Sequence, residues 1–439
     1  MNRRMPRGGW LLALPFLAGS PAASAEAPSL ITLDQAHRMA LDNYEVIGSG
    51  LERIEQARQG RRAATSALLP KLFTQSAYTY NLTAAELEFE GESLKILPRH
   101  DYELAIAFTQ PLFDLPSIKA RQQATLGVEL ANRSYETTAM DSLLGVTGAY
   151  YLVLAIQDNI EITQRSVEVN KETLRTAESL YRAGESVETA VLRARVAYAG
   201  AQRELLEARN NLEIAKQRLS VLTGLEGDFQ VVRPEKPPRP TETTDELVDT
   251  GLRTRTELRG LTLRRRIGEL QIQEQRSRYL PDIHLDGSFV KRRANFPSDT
   301  LSSVSVNATW TLFDGLYRES QVARARSELR EVELQLNLVR KQVEQEIRSA
   351  RLEVDTQAAS VDLLEQEVEF ARKNADSTQK AYRVGEATDL DILTSNEALT
   401  RSERQLALAT YQLELAIFRL ERAIGSFAHE LIASSGGQE

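Results

Sequence analysis

The 439-residue chain carries a net charge of −8 and contains no cysteine. Disulfides, thiolate metal sites, a cysteine nucleophile and lipidation on an N-terminal cysteine are therefore excluded. The acidic balance also argues against nucleic acid as a partner, because phosphate neutralisation needs clustered Lys and Arg.

The chain opens with Arg3, Arg4 and Arg7, then an apolar run from Trp10 to Ala18, then Ala23-Ser24-Ala25. A basic start, a short apolar core and a small-residue ending make a secretory signal peptide, residues 1–25. Pro15 interrupts a run far short of the ~20 residues that a membrane span needs. Cleavage after Ala25 removes three arginines and no acid, which leaves a charge of about −11. No later segment reads as apolar enough for a transmembrane helix, so a membrane crossing has to be made by strands.

The remainder is written twice. Leu69-Pro70 returns as Leu280-Pro281, offset by 211, and Leu112-Phe113-Asp114 returns as Leu312-Phe313-Asp314, offset by 200. The spacing gives a first repeat at 26–225, a Pro-rich extended linker at 226–244, a second repeat at 245–430 and a flexible tail at 431–439. The lost eleven residues place a longer loop in the polar, acidic stretch Ala84 to Arg99 of the first repeat. Each repeat carries a β-hairpin, at about 71–113 and about 281–313. Tyr102, Leu104, Ile106 and Phe108 share one strand face, and Val304, Val306, Ala308 and Trp310 share another, with polar or small residues opposite. A half-buried soluble sheet fits this alternation, as does a membrane barrel with lipid outside and water inside. Four strands cannot close a barrel, and an open edge in lipid is forbidden, so membrane strands have to be pooled with other copies of the chain.

Helices form the larger part. No glycine or proline occurs from Leu316 to Val384, and Val322, Ala325, Leu329, Val332, Leu336, Val339 and Val343 step by three and four, the spacing of a coiled-coil seam. At 1.5 Å per residue that helix is roughly 100 Å long. The segment Pro116 to Ala183 is of similar length, with Gly127, Gly145 and Gly148 as weak points. Both long helices end in a near copy, Tyr181-Arg182-Ala183-Gly184-Glu185 and Tyr382-Arg383-Val384-Gly385-Glu386. Glycine suits the left-handed position past a helix end, and Ser186 and Thr388 suit the N-cap of the next helix. Each copy is therefore the tip of a long helical hairpin. With Thr388 as cap, Asp391 falls at the third helical position, where free amides favour a carboxylate.

Thr32 to Asn43, Gln110 to Asp114, Ala149 to Leu154, the duplicated Y-R-x-G-E and Asp391 to Leu393 occur in an order that resembles the TolC-type outer-membrane efflux ducts, over nearly all of the mature chain. The resemblance implies a mixed α+β fold dominated by long helices. Each chain gives four strands to a trimeric twelve-stranded outer-membrane barrel, which continues as a helical coiled-coil tunnel through the periplasm. It implies a homotrimer in the outer membrane of a Gram-negative bacterium. The partners are outer-membrane lipid, a periplasmic adaptor and an inner-membrane pump, for efflux or type I secretion. The family's acidic constriction falls on Asp391, but its second acid falls on Thr394. Its tip tyrosine falls on Tyr382, but the arginine and aspartate partners fall on Ala387 and Ala190. The tips, Gly184, Glu185, Ser186 and Gly385, Glu386, Ala387, are the expected adaptor contacts.

Two other readings compete. An enzyme is disfavoured, because no nucleophile elbow, zinc-protease or phosphate-loop motif is present and His37, His100, His284 and His429 are scattered. Asp389-x-Asp391 is commonplace at a helix start, and no cofactor is expected. An exported trimeric coiled-coil structural protein without a transport role explains the heptads, but not the strands.

Overall fold

The computed structural model describes residues 29–89, 92–292 and 300–435; the expected signal peptide, 1–25, lies outside them. In chain order the first part comprises β1 (Ser29–Ile31), α1 (Leu33–Asn43), α2 (Glu45–Ser66), β2 (Lys71–Tyr80), β3 (Ala85–Phe89), β4 (Glu92–Leu97), β5 (His100–Phe113), α3 (Leu115–Arg182) and α4 (Glu188–Thr223). The second comprises β6 (Phe229–Val231), α5 (Thr244–Thr254), α6 (Thr256–Ser277), β7 (Asp282–Arg292), β8 (Thr300–Thr309), α7 (Tyr317–Arg383), α8 (Asp389–Ile424) and α9 (His429–Ser435).

The long helices fall where glycine and proline are missing. α7 has 67 residues and α3 has 68, and each returns through a 36-residue helix. Gly127, Gly145 and Gly148 do not break α3, because its middle is held on the core by buried Leu143, Val146, Tyr150 and Val153. This middle corrects one expectation. By length and composition α3 does pass as a membrane-spanning helix, but about half of its apolar window is buried inside the fold.

Knobs-into-holes packing is visible in the burial pattern. On α7, Ile347, Val354, Val361, Val368, Ala375 and Tyr382 are buried at a spacing of seven. On α8, Ser395, Ser402, Ala409, Ala416 and Ala423 follow the same spacing, as do Ala194, Ala201, Ala208 and Ala215 on α4. Small side chains on the returning helix let the backbones approach, and the seven-residue repeat keeps the seam aligned over the full length. Of the expected upper seam, Val322, Ala325, Leu336 and Val343 are buried, whereas Leu329, Val332 and Val339 are half-buried.

Two apolar clusters lie about the middle of the molecule. One is built from α1, α2, β1, β6 and the middle of α3, the other from α5, α6, α7 and the end of α8. The short parallel pair β1–β6 is fastened by the Tyr150 hydroxyl, which lies 2.8 Å from the Ile31 carbonyl and accepts from the Val232 amide at 3.1 Å. A buried ionic junction ties the halves together. Arg422 donates to Asp141 (2.7 Å) and Glu257 (2.6 Å), and Arg255 holds Glu346 through both terminal nitrogens (3.1 and 2.9 Å). The flexible tail expected from 431 is instead the second half of α9 as far as Ser435. Ile432 is buried against the first cluster, which gives that segment a reason to fold.

β2, β5, β7 and β8 form one antiparallel sheet in the order β2–β5–β7–β8. The register aligns Leu72, Phe108, Gly287 and Val304 across it, and one residue on aligns Phe73, Ala107, Ser288 and Ser303. The first row belongs to the apolar face with Tyr78, Leu104, Ile106, Phe289 and Val306. The second belongs to a face with Gln75, Glu103, Asp286, Arg292, Ser305 and Asn307. Glu103 and Arg292 pair there, and Asn307 donates to Asp286 at 2.7 Å. The Phe108 ring lies over Gly287 so closely that an added Cβ would sit 2.1 Å from a ring carbon. Residues 84–99, expected as a loop, contain the hairpin β3–β4, paired from Ala85↔Leu97 to Phe89↔Glu92. Ala85, Leu87 and Phe89 alternate with Glu86 and Glu88, and Leu94 and Ile96 with Ser93 and Lys95, a strand signal set within an acidic stretch of loop-like composition.

His37 illustrates how tightly the core is filled. It is buried, its Nε2 lies 2.8 Å from Thr147 Oγ1 and its ring meets Phe427 edge-on. Burial pushes its pKa down to about 4 from 6.5. Above pH 6.5 both folded and unfolded chains hold it neutral. Below 6.5 only the unfolded chain takes the proton, so stability falls as pH drops toward about 4, by roughly 1.4 kcal/mol per unit from this group. Thermal unfolding measured between pH 4 and 7 should show that slope, and His37→Asn should flatten it.

Candidate functional site: the hairpin tips

The ends of the two hairpins are the sites singled out by the sequence, and their backbones are alike. Gly184 and Gly385 have φ of 79° and 78°. The amides of Glu185 and Gly184 donate to the carbonyls of Leu180 (2.9 Å) and Tyr181 (3.0 Å), and those of Glu386 and Gly385 to Ala381 (2.9 Å) and Tyr382 (3.2 Å). Both are Schellman closures, in which a left-handed glycine lets the last carbonyls of the long helix find donors. A Cβ would meet nothing within 4 Å at either glycine, so only the backbone conformation demands the residue. Gly184, Glu185, Gly385 and Glu386 are exposed, and Ser186 and Ala387 are half-exposed.

The two returning helices start differently. Thr388 caps α8 in a capping box: its hydroxyl oxygen accepts from the Asp391 amide at 3.2 Å. The Asp391 carboxylate accepts from the Thr388 amide at 2.9 Å and hydroxyl at 2.7 Å. These bonds hold the exposed Asp391 carboxyl below its ordinary pKa. In the first tip the expectation for Ser186 is corrected: the N-cap is Val187, which makes no side-chain cap bond. The helix begins one residue later than a Ser186 cap requires. Val187 and Ala190 therefore stand where the second tip has Thr388 and Asp391.

The tyrosines also part company. Tyr181 is 46% exposed and Tyr382 only 5%. Among the described residues the Tyr382 hydroxyl has no hydrogen-bond partner, and burial, with Asp389 as a lesser cause, pushes its pKa up. Asp389 pairs with Arg193 of the other hairpin at 3.1 Å. Further from the tips, Arg404–Glu204 (3.1 Å) and Arg165–Glu403 (3.2 Å) also cross between the hairpins. Sequence reasoning missed Arg193 and gave Asp389 no role, because nothing in a one-dimensional pattern pairs residues so far apart. Ala190 is buried, Ala387 makes no ionic contact and the Thr394 hydroxyl donates back to the Leu390 carbonyl at 2.8 Å.

Two helical hairpins, each with one helix roughly 100 Å long at 1.5 Å per residue, joined to a four-stranded sheet with one apolar face, define the class of fold. The family model described as "Outer membrane efflux protein" matches residues 38–225 and again 247–426. The chain is 23% identical over 405 residues to the alkaline protease secretion protein AprF of Pseudomonas aeruginosa, covering 88% of this chain and 82% of that protein. It is 23% identical over 438 residues to the outer membrane protein TolC of Escherichia coli, covering 94% and 86%. Among solved structures it resembles the CmeC outer membrane channel of Campylobacter jejuni, with a TM-score of 0.77 at 16% identity over 97% of this chain and 96% of that one. It likewise resembles the outer membrane protein VceC of Vibrio cholerae, with a TM-score of 0.74 at 19% identity over 90% and 96%. The chain belongs to the outer membrane efflux protein family, which places it in the outer membrane of a Gram-negative bacterium and sets aside the coiled-coil rod.

The asymmetry of the caps is open to test. Thr388→Ala should destabilise the start of α8 by about 1 kcal/mol. Amide exchange at the first turn of α8 should quicken accordingly, while Val187→Ala leaves the first tip as it was.

Proposed function

We propose that the chain is one of three subunits of an exit duct. The duct carries substrates delivered by an inner-membrane pump across the periplasm and outer membrane, in efflux or type I secretion. The observation that carries this reading is the sheet. Every residue of β2 and of β8 is exposed, and neither face of the sheet is covered. Leu72, Val304 and Val306 are 76%, 73% and 64% exposed on the apolar face. Three such sheets, joined β8 to β2, make a twelve-stranded barrel with lipid against the apolar face and water against the polar one. The twofold match of one family model, at 38–225 and 247–426, supports two repeats of one plan, 26–225 and 245–430, joined by the extended segment 226–244. Residues 1–25 serve as the export signal.

The hairpins then form the periplasmic tunnel, and the tips its inner mouth. Asp391 and Tyr382 belong to the constriction. Kept ionised by its capping bonds, Asp391 from three subunits gathers cations at the mouth. Gly184, Glu185, Ser186 and Gly385, Glu386, Ala387 meet a periplasmic adaptor, since they are the points furthest from the sheet. The chain performs no catalysis and needs no cofactor in this role; selection of cargo belongs to the pump.

Single-channel recording of the purified protein in planar bilayers tests the reading. Small, steady, cation-preferring steps are expected, with the preference weakened in Asp391→Ala. Equal selectivity in the two proteins would remove Asp391 from the mouth, and a protein that never inserts would overturn the duct. Gly184→Val and Gly385→Val should abolish transport in cells while trimers persist, because the left-handed turn is lost at the adaptor contact and nowhere else.

A further inference from the structure

Basic side chains are unevenly distributed. In an acidic chain, residues 57–71 hold Arg58, Arg61, Arg62 and Lys71 with no acid, and residues 264–278 hold five arginines against Glu269 and Glu274. These are the last turns of α2 and α6 and the links by which they enter β2 and β7. Arg61, Arg62 and Arg276 are exposed, and no ion pair is found for Arg61 or Arg276 among the described residues.

A second feature lies at the same level. Where sheet meets helices, Leu69, Leu280, Trp310, Leu312, Phe313 and Tyr317 are 53%, 49%, 61%, 77%, 79% and 59% exposed. Exposed aromatic and aliphatic side chains at the end of membrane strands mark the boundary of the hydrocarbon. Arg62 lies seven residues before Leu69 and Arg276 four before Leu280, so the arginines begin where the apolar belt stops. At 1.5 Å per residue they stand roughly 6–11 Å below those leucines. The headgroup layer is about 5–8 Å thick, and an arginine can extend its head several ångströms along its stem.

We infer that Arg61, Arg62 and Arg276 form a collar that binds the phosphates of anionic phospholipid in the periplasmic leaflet. The inference rests on the sheet spanning the outer membrane. Guanidinium suits phosphate through paired donors, and the collar fixes the depth of the barrel by attraction below a belt that is fixed by burial above. A strongly acidic tunnel hung beneath an anionic leaflet needs such a region, since its own charge is repelled there.

The test uses the full-length protein purified in detergent. Phosphatidylglycerol or phosphatidylcholine is added, and retained lipid is counted by native mass spectrometry. The wild type is expected to keep at least threefold more phosphatidylglycerol, and the excess should shrink with added salt. Arg61→Gln/Arg62→Gln/Arg276→Gln should lose the excess, and the corresponding lysine triple should keep most of it as a check on folding. Conductance and ion preference should stay as in the wild type. Equal retention by wild type and glutamine variant would overturn the collar while leaving the duct untouched. Altered ion selectivity with unaltered lipid retention would also overturn it, by placing these arginines on the lumen.

Discussion

The backbone hydrogen bonds at the two edges of the sheet constrain everything else. β2 and β8 each pair on one side only. In water such edges are a liability, and in hydrocarbon they are forbidden, because each unpaired amide or carbonyl costs several kcal/mol. Among the described residues no further segment of the chain covers them. In the proposed trimer, joining β8 of one copy to β2 of the next would satisfy every edge at once, and it would also give the apolar face lipid and the polar face water. On that proposal the sheet is one stave of a cask, and the helices share the symmetry of the assembly.

Below the sheet the architecture is set by a different economy. A helix satisfies its own backbone, so its length is limited mainly by what its side chains can pack against. Here a seam repeated every seven residues gives α7 and α8 a partner along their whole length, with alanine and serine on one side and branched residues on the other. The seam runs out at the tips, and there the backbone again needs help. Schellman glycines supply it at the C-terminal end of each long helix, but of the two returning helices only α8 receives a capping box. The hairpins are then linked across by surface ion pairs such as Arg193–Asp389, in which the arginine is exposed and the aspartate half-buried. Surface pairs are each worth about 1 kcal/mol or less, so the mouth proposed at these tips would be held by contacts that a partner can displace.

Much of this was legible before any coordinates. The absence of glycine and proline gave the extent of α7, the duplicated glycines gave the turns, and strict alternation gave the faces of β5 and β8. Asp391 at the third position of α8 followed from Thr388 alone. What failed did so for physical reasons. The hairpin β3–β4 does alternate, but its strands are short and its four glutamates between Ala85 and Leu97 give it the composition of a loop. Ser186 is a good cap in the wrong place, because the turn after Gly184 sets where the helix starts. The tail beyond 431 folds because Ile432 finds the core, which is a tertiary fact. The apolar stretch of α3 was overlooked because its charged flanks dominate the segment. Arg193–Asp389 and the Arg255–Arg422 junction join residues far apart in the chain, and no local pattern foreshadows them. The position of the hairpin tips was therefore readable, while the ionic wiring around them was not.

Closure of the barrel between copies can be measured directly, because the natural chain has no cysteine. Thr74→Cys on β2 is combined in turn with Ser302→Cys, Val304→Cys, Val306→Cys or Ala308→Cys on β8, all on the same face at the opposite edge of the sheet. The series is needed because closing a tilted barrel staggers the register between copies. Within one chain every such pair is at least three strand spacings apart, roughly 14 Å, beyond the reach of a short thiol cross-linker. Treated with such a reagent in outer membranes, at least one double variant should yield covalent dimers and trimers and nothing larger, and each single variant should stay monomeric. Monomers alone from every double variant, or a ladder running past three, would contradict the account.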